Sequence, residues 1–168
     1  KNGMDQEGEM LARGAHNLAD VIFRQEDGDL IKAEGLVREA IRIRDSLYGS
    51  HNISASVTYL LLARILRKLG NFGDETKDLF ERSLAICIRN EGPDGVNAAV
   101  TNIDVGQFHY ELAMTQSIIS AKRTQLLLAK SCAEEAIRIE TKIHNPTHPS
   151  RVAAAAVLSD ILSELSTV

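Results

Sequence analysis

A chain of 168 residues that is 44% hydrophobic is too apolar for general disorder and suits one domain or a short repeat array. Aromatics make up only 4% with no Trp, which argues against a β-sandwich or barrel, while Leu, Ala, Ile, Arg and Glu favour helix. The net charge of −4 excludes a generally basic, nucleic-acid-binding surface and leaves room only for local basic sites.

Residues 1–7 read as a disordered or frayed lead-in. The first predicted helix, 8–25, carries Asn17-Leu18-Ala19 with Ile22. The second, 30–47, carries Ala33, Val37 and Ala40, small residues at spacings of four and three. A linker, Gly49-Ser50-His51-Asn52-Ile53, follows, and Ser54 offers N-cap chemistry. Helix 54–69 then repeats the first pattern as Leu61-Leu62-Ala63 with Leu66, 44 residues on. Helix 74–90 repeats the second pattern at 76–86, 43 residues after 33–43. A second linker is Gly92-Pro93-Asp94-Gly95-Val96.

Helix 96–119 brings the first pattern again, as Asp104-Val105-Gly106 with His109. Helix 122–143 brings the second, with Ala129, Ala133 and Ala136, after a longer interval of 53 residues. Apolar pattern continues through the added stretch, so it reads as an extended, protruding helical hairpin with its tip at 117–124. Ile118 and Ile119 there either cover the neighbouring repeat or mark a contact surface. The linker Asn145-Pro146-Thr147-His148-Pro149 leads to helix 149–165, where a fourth copy starts as Val157-Leu158-Ser159 with Leu162. Thr147-His148-Pro149 offers N-cap and N1 chemistry. Small residues on both helices of a pair allow close antiparallel packing, each pair covering the last.

Three elements recurring in one order resemble the tetratricopeptide repeat (TPR). Gly70-Asn71-Phe72 followed by Thr76 and Phe80 matches that family's turn and second helix. The period of about 43 exceeds the usual roughly 34 residues. With the run 40–51 and the linkers Gly92-Pro93-Asp94 and Asn145 to Ala153, it is similar to the kinesin-light-chain type of repeat. The resemblance implies an all-α, TPR-like superhelical solenoid of antiparallel helix pairs over 8–168. It implies about three repeats (9–53, 54–96, 97–149) and a C-terminal capping helix at 150–165. The family's early aromatic is Ala15, Tyr59, Asn102 and Ala155 in the successive copies, so packing is aliphatic in place of rings. Tyr59, Phe72 and Phe80 read as core, and Tyr110 as facing the groove.

The resemblance further implies a protein–protein interaction scaffold or adaptor whose first helices line a concave, peptide-binding groove. Position by position, the groove residues are Arg13, His16, Asn17, Asp20 and Arg24 in the first copy. The second contributes Arg64, Arg67 and Lys68 beside Leu60, and the third Asp104, Gln107, Tyr110 and Glu111 beside Ile103. Arg64, Arg67 and Lys68 form the concentrated basic cluster of an acidic chain, and an Arg fork can hold a carboxylate in two parallel bonds. An acidic peptide or helical segment is therefore the expected partner, with Arg13 and Arg24 flanking. The alternative is a homo-oligomer or assembly subunit, its groove filled by a neighbouring chain. Asn17 has no Asn counterpart in the other copies, so no ladder of backbone-binding amides is expected.

No Ser-His-Asp order, glycine-rich phosphate loop or HExxH pattern is present, so neither enzyme activity nor a cofactor is expected. His144 and His148 flank a linker with no evident Cys or carboxylate set, so helix capping is expected there in place of metal binding. Cys87 and Cys132 read as lone buried thiols within helices, which favours a cytoplasmic or other reducing compartment. No apolar run approaches the roughly 18–20 residues of a membrane span, and nothing reads as a signal peptide.

Overall fold

The computed structural model describes residues 2–49 and 51–168; Lys1 of the expected lead-in and Ser50 of the first linker lie outside the described residues. Among the described residues there are seven helices and no strand. They are α1 (Asn2–Arg24), α2 (Leu30–Tyr48), α3 (Ile53–Lys68), α4 (Asp74–Glu91), α5 (Val96–Thr115), α6 (Ile119–Ile143) and α7 (Pro149–Leu165). None is long and apolar enough to cross a membrane. The chain's contacts gather into two compact units, 1–86 and 87–168, divided within α4.

In the first unit α1 and α2 run antiparallel. A β-carbon on Gly8 would lie 3.2 Å from Leu47 Cδ1, and Arg44 Nη2 donates to Glu9 Oε1 at 3.2 Å. This packing, with Asp5 in the first turn complementing the positive end of the helix dipole, supports helix through described residues that were expected as a frayed lead-in. Ala12 and Ala19 on α1 and Ala33, Val37 and Ala40 on α2 are all fully buried at 0% exposure, so the small-residue stripes are where the helices meet. The α1–α2 turn depends on Gly28, since a β-carbon there would sit 1.9 Å from the Ile22 carbonyl oxygen.

α3 packs on α2 through charge and hydroxyl as well as apolar contacts. Arg44, buried, donates to the Ser54 carbonyl at 3.0 Å and to the Thr58 hydroxyl. The Tyr59 hydroxyl donates to the Asp45 carboxylate, 2.8 Å from Oδ1. Asn52, not the expected Ser54, caps α3: its side chain accepts from the Ser54 N–H at 2.7 Å. An N-cap acceptor must stand two or three residues before the N–H it satisfies, which puts Ser54 inside the first turn. Tyr59 and Phe80 are core, as expected, while Phe72 is half-buried.

In the second unit Gly106 lets α5 approach α6. A β-carbon on it would lie 3.4 Å from the Ala129 carbonyl and 3.7 Å from the Ala133 nitrogen. Ala129, Ala133 and Ile161 form a buried cluster, with Tyr110, Val157, Leu158 and Leu165 packed around it. α7 thus covers α6, and Lys122 pairs with Glu164 while Arg123 Nη1 donates to the Val168 carbonyl at 2.8 Å. These ties hold the start of α6. The expected hairpin tip at 117–124 contracts to Gln116–Ile118, because α5 stops at Thr115 and α6 resumes at Ile119. Ile118 and Ile119 are 67% and 68% exposed, so they cover no neighbouring repeat.

Candidate peptide-binding face

On α1 the predicted residues fall on one stripe, since positions 13, 17, 20 and 24 recur every three or four residues. Arg13 and Asn17 are exposed, and Arg13 has no ion pair among the described residues. Arg24 Nε donates to Asp20 Oδ2 at 2.8 Å, so this flanking cation is already matched. His16 is half-buried. Burial, with the Arg44 guanidinium adding to it, holds its imidazole below the ordinary value, Asp20 opposing.

On α3 the equivalent stripe is Leu60, Arg64, Arg67 and Lys68. Leu60 is buried, so it contributes packing and not an apolar strip open to a ligand. Arg64 and Arg67 are half-buried and Lys68 is exposed. Lys68 Nζ donates to the Phe23 carbonyl at 3.2 Å and stands 5.3 Å over the Phe23 ring. It therefore links the C-terminal ends of α1 and α3, and Arg67 and Lys68 also complement the negative end of the α3 dipole. All five predicted Arg and Lys residues lie on α1 and α3 of the first unit, with Asp20 the one predicted acid there.

The second unit carries Asp104, Gln107, Tyr110 and Glu111 along α5. Asp104 is buried, Gln107 and Glu111 are half-buried, and Tyr110 packs against the α6–α7 cluster, which draws its ring into the unit's core. This stripe is acidic and largely committed to packing.

A cleft of about 340 Å³ lies between α2, α3 and α4 of the first unit. Its charges are matched internally: Arg38 Nη1 donates to Glu75 at 2.7 Å and Arg82 pairs with Asp78 at 2.8 Å. Tyr59 lines it, its hydroxyl pushed up to about 12 by burial and the Asp45 carboxylate. In the second unit Asp94 accepts from both Arg138 and Lys142, at 2.6 Å each, which pins the second linker to α6 and holds the carboxyl below its usual range. These are structural ties rather than an open site.

The linker histidines depart from expectation. His148 caps α7, its Nδ1 accepting from the Ser150 N–H at 3.3 Å, but a carboxylate does accompany the pair. Glu140, His144 and His148 offer ligand atoms all within 4.8 Å of one another. Glu140 lies in the last turn of α6, four residues before His144 at its C-cap, and the linker folds His148 back over them. The four-residue spacing Glu140, His144, His148 was the signal in the sequence, obscured because the second interval crosses a loop. Cys87 and Cys132 are both free thiols, and burial pushes Cys132 up, away from thiolate reactivity.

No protein-family model and no curated protein matches the chain. Solved structures do. BtubC (BKLC) from P. vanneervenii aligns over 95% of this chain with a TM-score of 0.73 and 17% identity. This chain spans 59% of that protein's length. A kinesin-light-chain-type protein of Podospora anserina with nearly identical TPR-like repeats aligns over 95% of this chain and 89% of its own, with a TM-score of 0.54 and 18% identity. A variant of that protein aligns equally well. At this identity the likeness is one of fold, and the chain has an all-α, TPR-like repeat fold of the kinesin-light-chain type.

Proposed function

We propose that the chain is a non-catalytic interaction scaffold that holds an acidic peptide or helical segment along the α1–α3 face of its first unit. The observation that carries this reading is the gathering of Arg13, Arg24, Arg64, Arg67 and Lys68 on two adjacent helices of a chain with net charge −4. TPR-like folds in general serve as protein–protein scaffolds, and a cationic face in an acidic molecule concentrates carboxylate ligands. Arg13 and Asn17 supply exposed donors, one for a carboxylate and one for a peptide backbone. The α5 stripe is acidic and packed, so recognition centres on the first unit. The two free thiols fit a reducing intracellular setting.

Affinity purification with the wild-type chain beside Arg13→Glu and Arg64→Glu/Arg67→Glu variants tests this. Loss of acidic partners from the variants, with unchanged helicity and melting temperature, is the expected result. An unchanged partner list contradicts it.

A second reading has its own support. Met10, Leu11, Leu18 and Val21 on α1 are 65%, 62%, 47% and 54% exposed. Such an apolar strip fits constitutive packing inside a larger assembly. Under that reading Leu18→Lys with Val21→Lys abolishes higher-order association in sedimentation velocity, whereas a freely monomeric wild type removes the reading.

A further inference from the structure

We propose that Glu140, His144 and His148 form a binding site for a divalent transition-metal ion of the zinc class, at the junction of α6 and α7. Glu140 is fully buried at 0% exposure, and neither carboxylate oxygen has a hydrogen-bond partner. A buried carboxylate without donors is costly unless a cation meets it. The imidazole of His144 stands close by, its Nε2 3.8 Å from Glu140 Oε2 and beyond hydrogen-bond range. His144 and His148 are half-buried and lie on the solvent side of the carboxylate, which gives an ion a path inward.

The repeats supply an internal comparison. Arg44 in the first copy is at the position of Glu140 in the third, and Asn52 is at that of His148. Arg44 is buried too, but its two terminal nitrogens donate to the Ser54 carbonyl, the Thr58 hydroxyl and Glu9, which leaves only Nε without a partner. The third copy replaces that internally bonded cation with an acceptor, and places a nitrogen ligand where the first copy has an amide cap. The reversal of charge is matched by two imidazoles that can share a cation with it.

One carboxylate and two imidazoles are a hard-to-borderline donor set suited to Zn²⁺, with a fourth position left to water. Zinc bonds of about 2.0–2.1 Å place tetrahedral donors about 3.3 Å apart, so the three atoms close inward on binding. The imidazole rings stack at 3.6 Å between centroids with planes 6° apart. In-plane lone pairs of parallel rings do not converge on one ion, so ligation splays the stack. It also competes with the cap, because His148 Nδ1 spends its lone pair on the Ser150 N–H and leaves Nε2 carrying the proton. That cap bond is long, at 3.3 Å, so exchanging it for a metal bond is favourable.

The test is titration of tag-free chain with ZnCl₂ by calorimetry, with Co²⁺ absorption as a second readout of coordination. The wild type is expected to take one Zn²⁺ per chain, and to melt at a higher temperature with it. His148→Asn reproduces the cap that Asn52 provides in the first copy, so it keeps α7 folded while binding zinc at least about tenfold more weakly. Glu140→Gln is expected to weaken binding comparably and to abolish the Co²⁺ spectrum. No zinc binding by the wild type, or equal binding by the wild type and folded His148→Asn, overturns the proposal. Neither outcome bears on the acidic-peptide face, which lies in the other unit.

Discussion

Single residues set several of the tightest constraints. Gly28 stands where any β-carbon would strike the Ile22 carbonyl at 1.9 Å. Gly28→Ala should therefore cost about 2 kcal/mol or more in urea unfolding, because the obstacle is backbone and cannot rotate aside. Tyr59 offers a spectroscopic check. Its hydroxyl is pushed up to about 12, so in an absorbance titration it should ionise above the ordinary tyrosine range of about 10. The unfolded chain loses that proton first, so the contribution of Tyr59 to stability is present below its unfolded pKa and is lost as pH rises through about 12. His16 behaves in the opposite sense. Its pKa is lowered in the fold, so below the ordinary imidazole range the unfolded state binds the extra proton. Its contribution is present above that range and lost as pH falls through the folded value, and His16→Gln should flatten this part of the stability–pH curve. Ionisation of Tyr59 in the ordinary tyrosine range, or a curve unchanged by His16→Gln, would contradict these assignments.

At the scale of helices, much was legible in the sequence because period, small-residue stripes and linkers agree. The predicted helix at 149–165 coincides with α7, and 30–47, 54–69 and 74–90 each shift by one residue at most per end. The stripe reading of Gly106 with Ala129 and Ala133 identified the α5–α6 contact itself. It yields a graded test: Gly106→Ala should be near neutral, since its β-carbon meets backbone at 3.4 Å while gaining about 1 kcal/mol of helix propensity. Gly106→Leu should cost roughly 2 kcal/mol by wedging the helices apart. Thermal unfolding of both checks this, and a Leu variant as stable as wild type would remove the close-approach argument. The misses have a common cause. The helical state of residues 2–7, the break at Gln116–Ile118 and the cap at Asn52 depend on which neighbour a segment meets, and local pattern does not encode that.

At the scale of the whole chain, repeat order identified the fold class, but the fate of individual face residues depended on tertiary packing. Leu60 and Asp104 share the predicted register with Arg13 and Arg64 yet are buried, and Tyr110 is drawn into the α6–α7 cluster. Lys68 is turned toward the end of α1, a contact 45 residues away in sequence. Glu140 was invisible as a ligand candidate because its partner His148 lies across a linker. The cations on which the proposed acidic-peptide face rests all belong to the first unit. The most direct measurement is fluorescence anisotropy of a labelled Glu/Asp-rich peptide and its Gln/Asn counterpart, titrated with wild-type and Arg13→Glu/Arg64→Glu chain at about 50 mM and about 300 mM salt. The account predicts that the acidic peptide binds the wild type at least roughly tenfold more tightly than either the neutral peptide or the folded variant does, with the advantage shrinking at high salt. Equal affinity for acidic and neutral peptides, or binding untouched by the charge reversal, would contradict it.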